Sequence, residues 1–275
     1  MKIGQYNQLT VKKIIDQGAL FDGGEFGDAF MPKGQITQEI TQGQEYKVFI
    51  YLDRDEKIIA TFINPKAEVD RFSCLKVVDV SEVGAFLDWG LPKDLFVPFS
   101  QQKHKMVLGE SYVVFLYLDD QKNRICASSR LDQFIEKEFI ELKQNQKVDL
   151  LIEAATPLGY KAIIDDYHFG VIFKDQTPQP LQVGQRMKGY IKRVREDKKI
   201  DLSLMKVGIE KFDDTQQLIL KKLEENNGVL NLHDKSTPED IFKILKMSKK
   251  VFKSTIGQLY KSKVIDIKKD GIYKL

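Results

Sequence analysis

Gly18-Ala19-Leu20-Phe21-Asp22 returns 66 residues later as Gly84-Ala85-Phe86-Leu87-Asp88. The same offset, without a gap, carries Asp28-Ala29-Phe30-Met31-Pro32 onto Asp94-Leu95-Phe96-Val97-Pro98 and Gly43 onto Gly109. It carries Tyr46-Lys47-Val48-Phe49-Ile50-Tyr51-Leu52-Asp53 onto Tyr112-Val113-Val114-Phe115-Leu116-Tyr117-Leu118-Asp119, Val11 onto Val77, and Ile59 onto Ile125. Matches this extended, at one spacing, mean that a single domain of about 65 residues occurs twice.

Each copy reads as β structure. Alternation, with β-branched and aromatic enrichment, marks residues 11–15, 19–22, 29–31, 47–52 and 58–61 as short strands. Gly18, Gly23-Gly24, Lys33-Gly34 and Arg54-Asp55 supply the turns. Five such strands bury too little as an open sheet, whereas closure into a barrel removes the edges and encloses one core. Gly18 and Gly84, inside strand patterns, suit a sharply bent strand at a barrel corner. A third, more diverged set follows at 148–152, 160–165, 170–173 and 187–195, closing with 198–204; Val183-Gly184-Gln185 repeats the glycine that precedes a late strand. Between the second and third sets, Leu131, Phe134, Ile135, Phe139 and Leu142 recur at helical spacing and predict one amphipathic helix docked on a barrel.

The remainder alternates helix and strand. Leu218, Ile219 and Leu223 form the core face of a helix over 212–225, and Val229-Leu230-Asn231-Leu232 suggests a strand. Ser236-Thr237-Pro238-Glu239-Asp240 is a helix start, with proline in the first turn and acids complementing the dipole. Ser248 can cap a further helix over 249–261, with Val251, Phe252, Ile256, Leu259 and Tyr260 expected to face the core. Residues 264–275 read as a hairpin with an Asp270-Gly271 turn. Helix, strand, helix, helix, hairpin is the winged-helix order. The expected fold is therefore mainly β with a C-terminal α+β domain. It comprises five-stranded barrels at 1–64, 70–130 and 146–206, a connecting helix at 131–145, and a winged helix at 208–275.

Charge is unevenly placed behind a net of +3: residues 1–185 carry 21 basic and 27 acidic side chains, residues 186–275 carry 22 and 13. A basic end beside an acidic remainder suggests a polyanion-facing surface, although a solvated lysine face reads equally well from charge alone. No apolar run reaches transmembrane length, and the start lacks the pattern of a secretory signal. Cys74 and Cys126 make no disulfide framework and read as reduced, buried thiols, so a cytoplasmic setting is expected. His104, His168 and His233 are far apart, and no zinc spacing, nucleophile elbow or P-loop occurs. Asp119-Asp120, Asp165-Asp166 and Asp213-Asp214 fit solvated turns and a helix cap better than a magnesium site. Neither catalysis, nor a metal, nor a cofactor is expected.

The Gly-Ala-Phe-Leu-Asp run at 84–88, the valine-rich strand ending at Asp119 and the basic-residue-Ile close of each barrel resemble the S-one domain, an RNA-binding OB-fold. Three such barrels before a winged helix, with Gly189-Tyr190-Ile191 and Lys199-Ile200-Asp201-Leu202-Ser203-Leu204 in the third, resemble the conserved virulence factor B (CvfB) family across essentially the whole chain. That resemblance implies RNA binding. Carried over by position, its binding face comprises Phe86, Asp119 and Arg124 in the second barrel, Leu20, Asp53 and Lys57 in the first, and Lys199 in the third. The usual aromatic before the glycine is Gln17 or Val83 here, and a histidine of the facing strand is Pro32 or Pro98. The first barrel is also acidic, with 8 basic and 11 acidic side chains in residues 1–70. Phe86 fits base stacking and barrel core equally, since alternation alone leaves its face open; for Leu20 the core is expected.

Lys192, Arg193 and Arg195 form a basic run expected to hold phosphates, as do Lys249, Lys250 and Lys253 of the third helix, with Lys261 and Lys263 near its end, and Lys268 and Lys269 of the hairpin. Single-stranded RNA is the expected partner, in a post-transcriptional role and without a membrane. A protein-binding scaffold associated with translation and a winged-helix DNA regulator are the alternatives; a partner for the winged helix is thus DNA or a ribosome-associated protein.

Overall fold

The computed structural model describes residues 1–119, 124–136, 142–174, 177, 179–205 and 214–275. They form two compact units, Met1–Leu204 and Met205–Leu275.

The first unit contains three closed five-stranded barrels. Barrel 1 comprises β1 (Tyr6–Ile15), β2 (Gly18–Phe21), β3 (Ala29–Pro32), β4 (Glu45–Leu52) and β5 (Ile58–Thr61). Barrel 2 comprises β6 (Phe72–Val80), β7 (Gly84–Asp88), β8 (Leu95–Pro98), β9 (Ser111–Asp119) and β10 (Arg124–Ser128). Barrel 3 comprises β11 (Lys147–Thr156), β12 (Gly159–Ile164), β13 (His168–Phe173), β14 (Arg186–Val194) and β15 (Ile200–Ser203). In each, the first strand pairs with the second and fourth, and the third pairs in parallel with the fifth, which closes the barrel.

Two glycine positions repeat for physical reasons. A Cβ on Gly18, Gly84 or Gly159 would collide with the carbonyl oxygen of Met31, Val97 or Ile172 on the neighbouring strand, so the close approach demands glycine. Gly43, Gly109 and Gly184 have φ near +85° and donate their N–H to the carbonyls of Val11, Val77 and Ile152 at 2.8–2.9 Å, pinning the turn before the fourth strand to the first. One detail of the duplication changes. Phe30 faces Ile59 across the parallel pair, but Phe96 faces Cys126, so the ungapped match of Ile59 to Ile125 fails by one residue. The extra residue falls among positions 120–123 of the sequence, between β9 and β10, which makes Arg124 the counterpart of Lys57.

The barrels are joined by aromatic seats. On β4, Val48 and Ile50 point into the core of barrel 1, while Phe49 and Tyr51 point out and meet the buried Trp89 of barrel 2 edge-on, with ring centroids 6.0 and 6.4 Å away. On β9, the equivalent Phe115 and Tyr117 stack on Phe134, at 4.4 and 5.6 Å, where the chain passes to barrel 3. Phe134 and Ile135 pack there against Phe72, Val113 and Leu131 with Leu151 and Ile163 of barrel 3. In the described part of 131–145 this packing stands where a helix was expected. Residues 137–141 lie outside the described residues, and the described part makes one 3-10 turn, Leu131–Gln133, followed by a turn and a bend. The apolar spacing serves to plug a seam between two barrels, for which a single turn suffices.

The second unit comprises α1 (Asp214–Glu225), β16 (Val229–Leu230), α2 (Pro238–Leu245), α3 (Lys249–Lys261), β17 (Ile265–Ile267) and β18 (Ile272–Lys274), a winged helix. Thr237 and Ser248 cap α2 and α3 by accepting from the N–H groups of Asp240 and Val251. On α3, Phe252, Ile256 and Leu259 are buried, whereas Val251 and Tyr260 are exposed, contrary to expectation. At 100° per residue the buried stripe needs positions 252, 255, 256 and 259, which leaves 251 and 260 on its flanks; Thr255 takes the fourth place. The β17–β18 loop spans residues 268–271, closed by Lys268 N–H to the Gly271 carbonyl at 2.9 Å. Gly271 is required by the approach of the Leu230 carbonyl, not by a positive φ.

Candidate nucleic-acid interface

Strand alternation decides the face of Phe86. Ala85 and Leu87 are fully buried in the core of barrel 2, so Phe86 points outward and is half-buried. Across the β7–β8 pair it meets Phe96, with centroids 5.2 Å apart and planes tilted by 39°. Arg124 at the start of β10 lays its guanidinium over the Phe96 ring at 4.9 Å. Phe86, Phe96 and Arg124 thus form an outward ladder of two rings and a cation. Arg124 Nε is buried and has no hydrogen-bond partner among the described residues. Asp119 is half-buried and pairs in register with Arg124. Nearby, burial, with Cys126 and Asp119 adding to it, pushes the Tyr117 phenol up to about 12.

In barrel 1 the same positions do not form an open face. Leu20 points outward between the buried Ala19 and Phe21, a correction to the expected core placement, for the same reason of alternation. Beside it Phe30, Ile59 and Tyr51 pack into the cluster that contains Trp89 and Leu91 of barrel 2. The Asp53 carbonyl accepts from Lys93 of barrel 2 at 2.6 Å, and burial lowers the Lys93 pKa. Lys57 stays on the exposed hairpin beside Asp55, 3.7 Å away. Barrel 2 therefore covers the Phe30, Ile59 and Tyr51 row beside Leu20, while Leu20 and Asp53 stay half-buried and Lys57 exposed.

Barrel 3 carries a groove of about 410 Å³ on the corresponding face, lined by Leu158, Phe169, Val171 and Phe173 with Lys161, Arg195 and Lys199. Its register equates Lys161 with Phe86, Val171 with Phe96 and Lys199 with Arg124. Lys161 Nζ sits 3.5 Å above the Phe169 ring, and Arg195 lies 5.7 Å from the Phe173 ring. Asp201, only 3% exposed, accepts from Arg193 Nε at 2.6 Å and Arg195 Nε at 2.9 Å. Burial raises its carboxyl pKa, but the hydrogen bonds from Arg195 and Arg193 outweigh that and hold it below the usual range. Arg193 and Arg195 are thus committed partly to Asp201, and Lys192 is half-buried at a bulge between Ile191 and Arg193. Lys199 is exposed and pairs with Asp197 at 2.9 Å. Phe96, Lys161, Phe169 and Phe173 are absent from the sequence-based site. Phe96 sits in the repeated Asp-Leu-Phe-Val-Pro run opposite Phe86, a signal that pairing the two strands would have exposed.

On the winged helix, Lys250 and Lys253 are exposed along α3 and Lys249 is half-buried. Lys268 and Lys269 are exposed at the β17–β18 loop, Lys268 4.5 Å above the Tyr273 ring. Among the described residues no group of histidine, cysteine or carboxylate side chains could hold a metal, and no helix is long and apolar enough to cross a membrane.

Residues 3–62 and 71–129 match the S1 domain model, and residues 217–273 match the CvfB-like winged helix domain. The chain carries S1 domains and a CvfB-like winged helix. Barrel 3, which shares the closed strand order, lies outside the matched residues. A protein named Conserved virulence factor B from Staphylococcus haemolyticus (strain JCSC1435) is 28% identical over 236 residues, covering 83% of this chain and 79% of the relative. A protein named YitL from Bacillus subtilis (strain 168) is 27% identical over 272 residues, covering 95% and 90%. A crystal structure described as a multidomain protein with nucleic acid binding domains, from Streptococcus pneumoniae TIGR4, aligns with 99% of this chain and 98% of its own, at 24% identity and a TM-score of 0.47. S1 domains and winged helices are nucleic-acid-binding modules, and both are typically non-enzymatic.

Proposed function

We propose that this chain is a non-enzymatic, cytoplasmic binder of single-stranded RNA that acts after transcription, using barrels 2 and 3. The observation that carries this is the outward Phe86–Phe96–Arg124 ladder. Rings on a barrel face accept any base by stacking, at about 1–3 kcal/mol per base, while neighbouring cations hold phosphates. A duplex keeps its bases stacked internally and cannot use such a ladder, which favours a single strand. Barrel 1, whose Phe30, Ile59 and Tyr51 row packs against barrel 2, is left out of the proposed binding set. Fluorescence anisotropy of labelled single-stranded RNA, single-stranded DNA and duplex DNA against the full chain, across salt, tests this. Single-stranded RNA binding best, with affinity falling as salt rises, is the expected result. No binding of any nucleic acid at low salt refutes it and favours a protein scaffold.

One observation favours a second contribution. The exposed lysines of α3 and of the β17–β18 loop are the elements with which winged helices approach a groove and its backbone. Lysines neutralise phosphates without reading sequence, so this unit adds affinity rather than selectivity. Enrichment of one sequence from random duplexes would instead make it a DNA regulator.

A further inference from the structure

We infer that the ladder of barrel 2 and the groove of barrel 3 are two halves of one composite track for a single nucleic-acid strand, joined at the Leu131–Gln133 turn. The inference rests on the proposed single-strand binding and specifies how that site is built. Three observations carry it.

First, the two faces are linked by contacts. Tyr117 lies in register with Cys126, which lies opposite Phe96, so it belongs to the same outer row of barrel 2 as the ladder. Phe134 stacks on Tyr117. Within the same linker, Asp132 lies 3.6 Å from Lys161 of the barrel 3 groove. Phe169, which Lys161 covers, packs against the cluster that holds Phe134. Second, the seam is packed and hydrogen-bonded. Phe72, Val113, Leu131, Leu151 and Ile163 are buried across it, and Arg186 of barrel 3 donates to the Phe72 carbonyl of barrel 2. Arg71 reaches Asp166 at 3.1 Å. Third, the halves are chemically unequal in a complementary way. Barrel 2 offers two tilted rings with one cation, whereas barrel 3 offers three cations around rings that two of them already cover. Each of those three cations is held by a carboxylate (Lys161 by Asp132 and Glu153, Arg195 by Asp201, Lys199 by Asp197) that a phosphate would replace. One half suits bases and the other suits the backbone that links them.

A packed juxtaposition has a measurable consequence. A strand that seats on barrel 2 presents its continuation to barrel 3 at high local concentration, so binding strengthens sharply once the strand spans both halves. Single OB folds occupy about 4–16 nucleotides, so oligouridylates of about 5, 8, 12 and 16 nucleotides bracket the transition. Anisotropy titrations and native mass spectrometry with the full chain provide affinity and stoichiometry. The expected result is at least a tenfold gain in affinity between the shortest and longest oligomers, with one of the longest bound per chain. Phe86→Ala and Phe173→Ala, both on outer faces, should each abolish that gain alone, while a variant in the seam, Phe134→Ala, should lower it and leave the affinity of the shortest oligomer unchanged. Affinity that does not rise with length, or a gain that survives both outer-face variants, overturns the composite track while leaving single-strand binding intact. Failure of every oligomer to bind overturns the proposed function itself.

Discussion

Neutralising Asp201 should weaken the fold slightly and strengthen RNA binding, an opposition that a merely structural carboxylate does not produce. In Asp201→Asn the side chain keeps its shape and one acceptor but loses the charge that holds Arg193 at 2.6 Å and Arg195 at 2.9 Å. Both arginine side chains retain access to water, 64% and 35% exposed, so the released guanidiniums are solvated rather than stranded. The loss is then that of hydrogen bonds to a charged group, about 1–2 kcal/mol after this solvation. In a unit of this size that is roughly 2–8 °C in Tm. Each arginine freed to contact a phosphate steepens the salt dependence by about 0.7 in slope and, at 0.1 M salt, tightens binding about fivefold. Two freed arginines give about 25-fold. Anisotropy with a single-stranded RNA over a salt series measures slope and affinity together. Weaker binding at an unchanged slope would refute the reasoning and make Asp201 a positioning residue that presents the arginines as a fork.

Phe96→Ala removes the middle rung of the barrel 2 ladder and should weaken single-stranded RNA binding by about 5–150-fold, the equivalent of one base stack, whereas Lys57→Ala should change it by less than about twofold; anisotropy separates the two. The native carboxyl of Asp201 lies below its ordinary value of 3.8, so its contribution to stability is present above that value and is lost as pH falls through the lower native one. Melting temperature should therefore drop more steeply below about pH 4 in the parent than in Asp201→Asn, and parallel acid curves would contradict this. Trp89→Ala deletes the ring between Phe49 and Tyr51 and should cost about 3–5 kcal/mol in urea unfolding, with loss of amide protection across β4. Gly159→Ala places a Cβ against the Ile172 carbonyl and should open barrel 3, seen as faster amide exchange in β12 and β13 while α3 stays protected.

The barrels were legible because duplication makes chance unlikely as an explanation for weak local signals. Gly18 and Gly84 mark the same crowded corner, and the glycines at 43, 109 and 184 mark the same turn. The winged helix was legible through its caps, Thr237 and Ser248, and through the 252–256–259 spacing of α3. What escaped was set by neighbours that a linear pattern does not contain. The stripe from Leu131 to Leu142 has helical spacing, yet Phe134 answers to two rings of β9 and to barrel 3 rather than to its own helix. The face of Phe86 became definite only once Ala85 and Leu87 were seen to fill the core. The loss of the barrel 1 face depends on Trp89, a residue of another barrel, and the restraint on Arg193 and Arg195 depends on a carboxylate one strand away.

The seat of Trp89 also governs how the protein can be cut. Phe49, Tyr51 and Ile59 of barrel 1 belong to one apolar cluster with the interior of barrel 2, so the first two barrels are not beads on a string. A fragment beginning near residue 70 would uncover Trp89 and Leu91 together, a sticky patch prone to self-association. Barrel 1 then acts as a lid on barrel 2, and the first 64 residues behave as its built-in solubility partner.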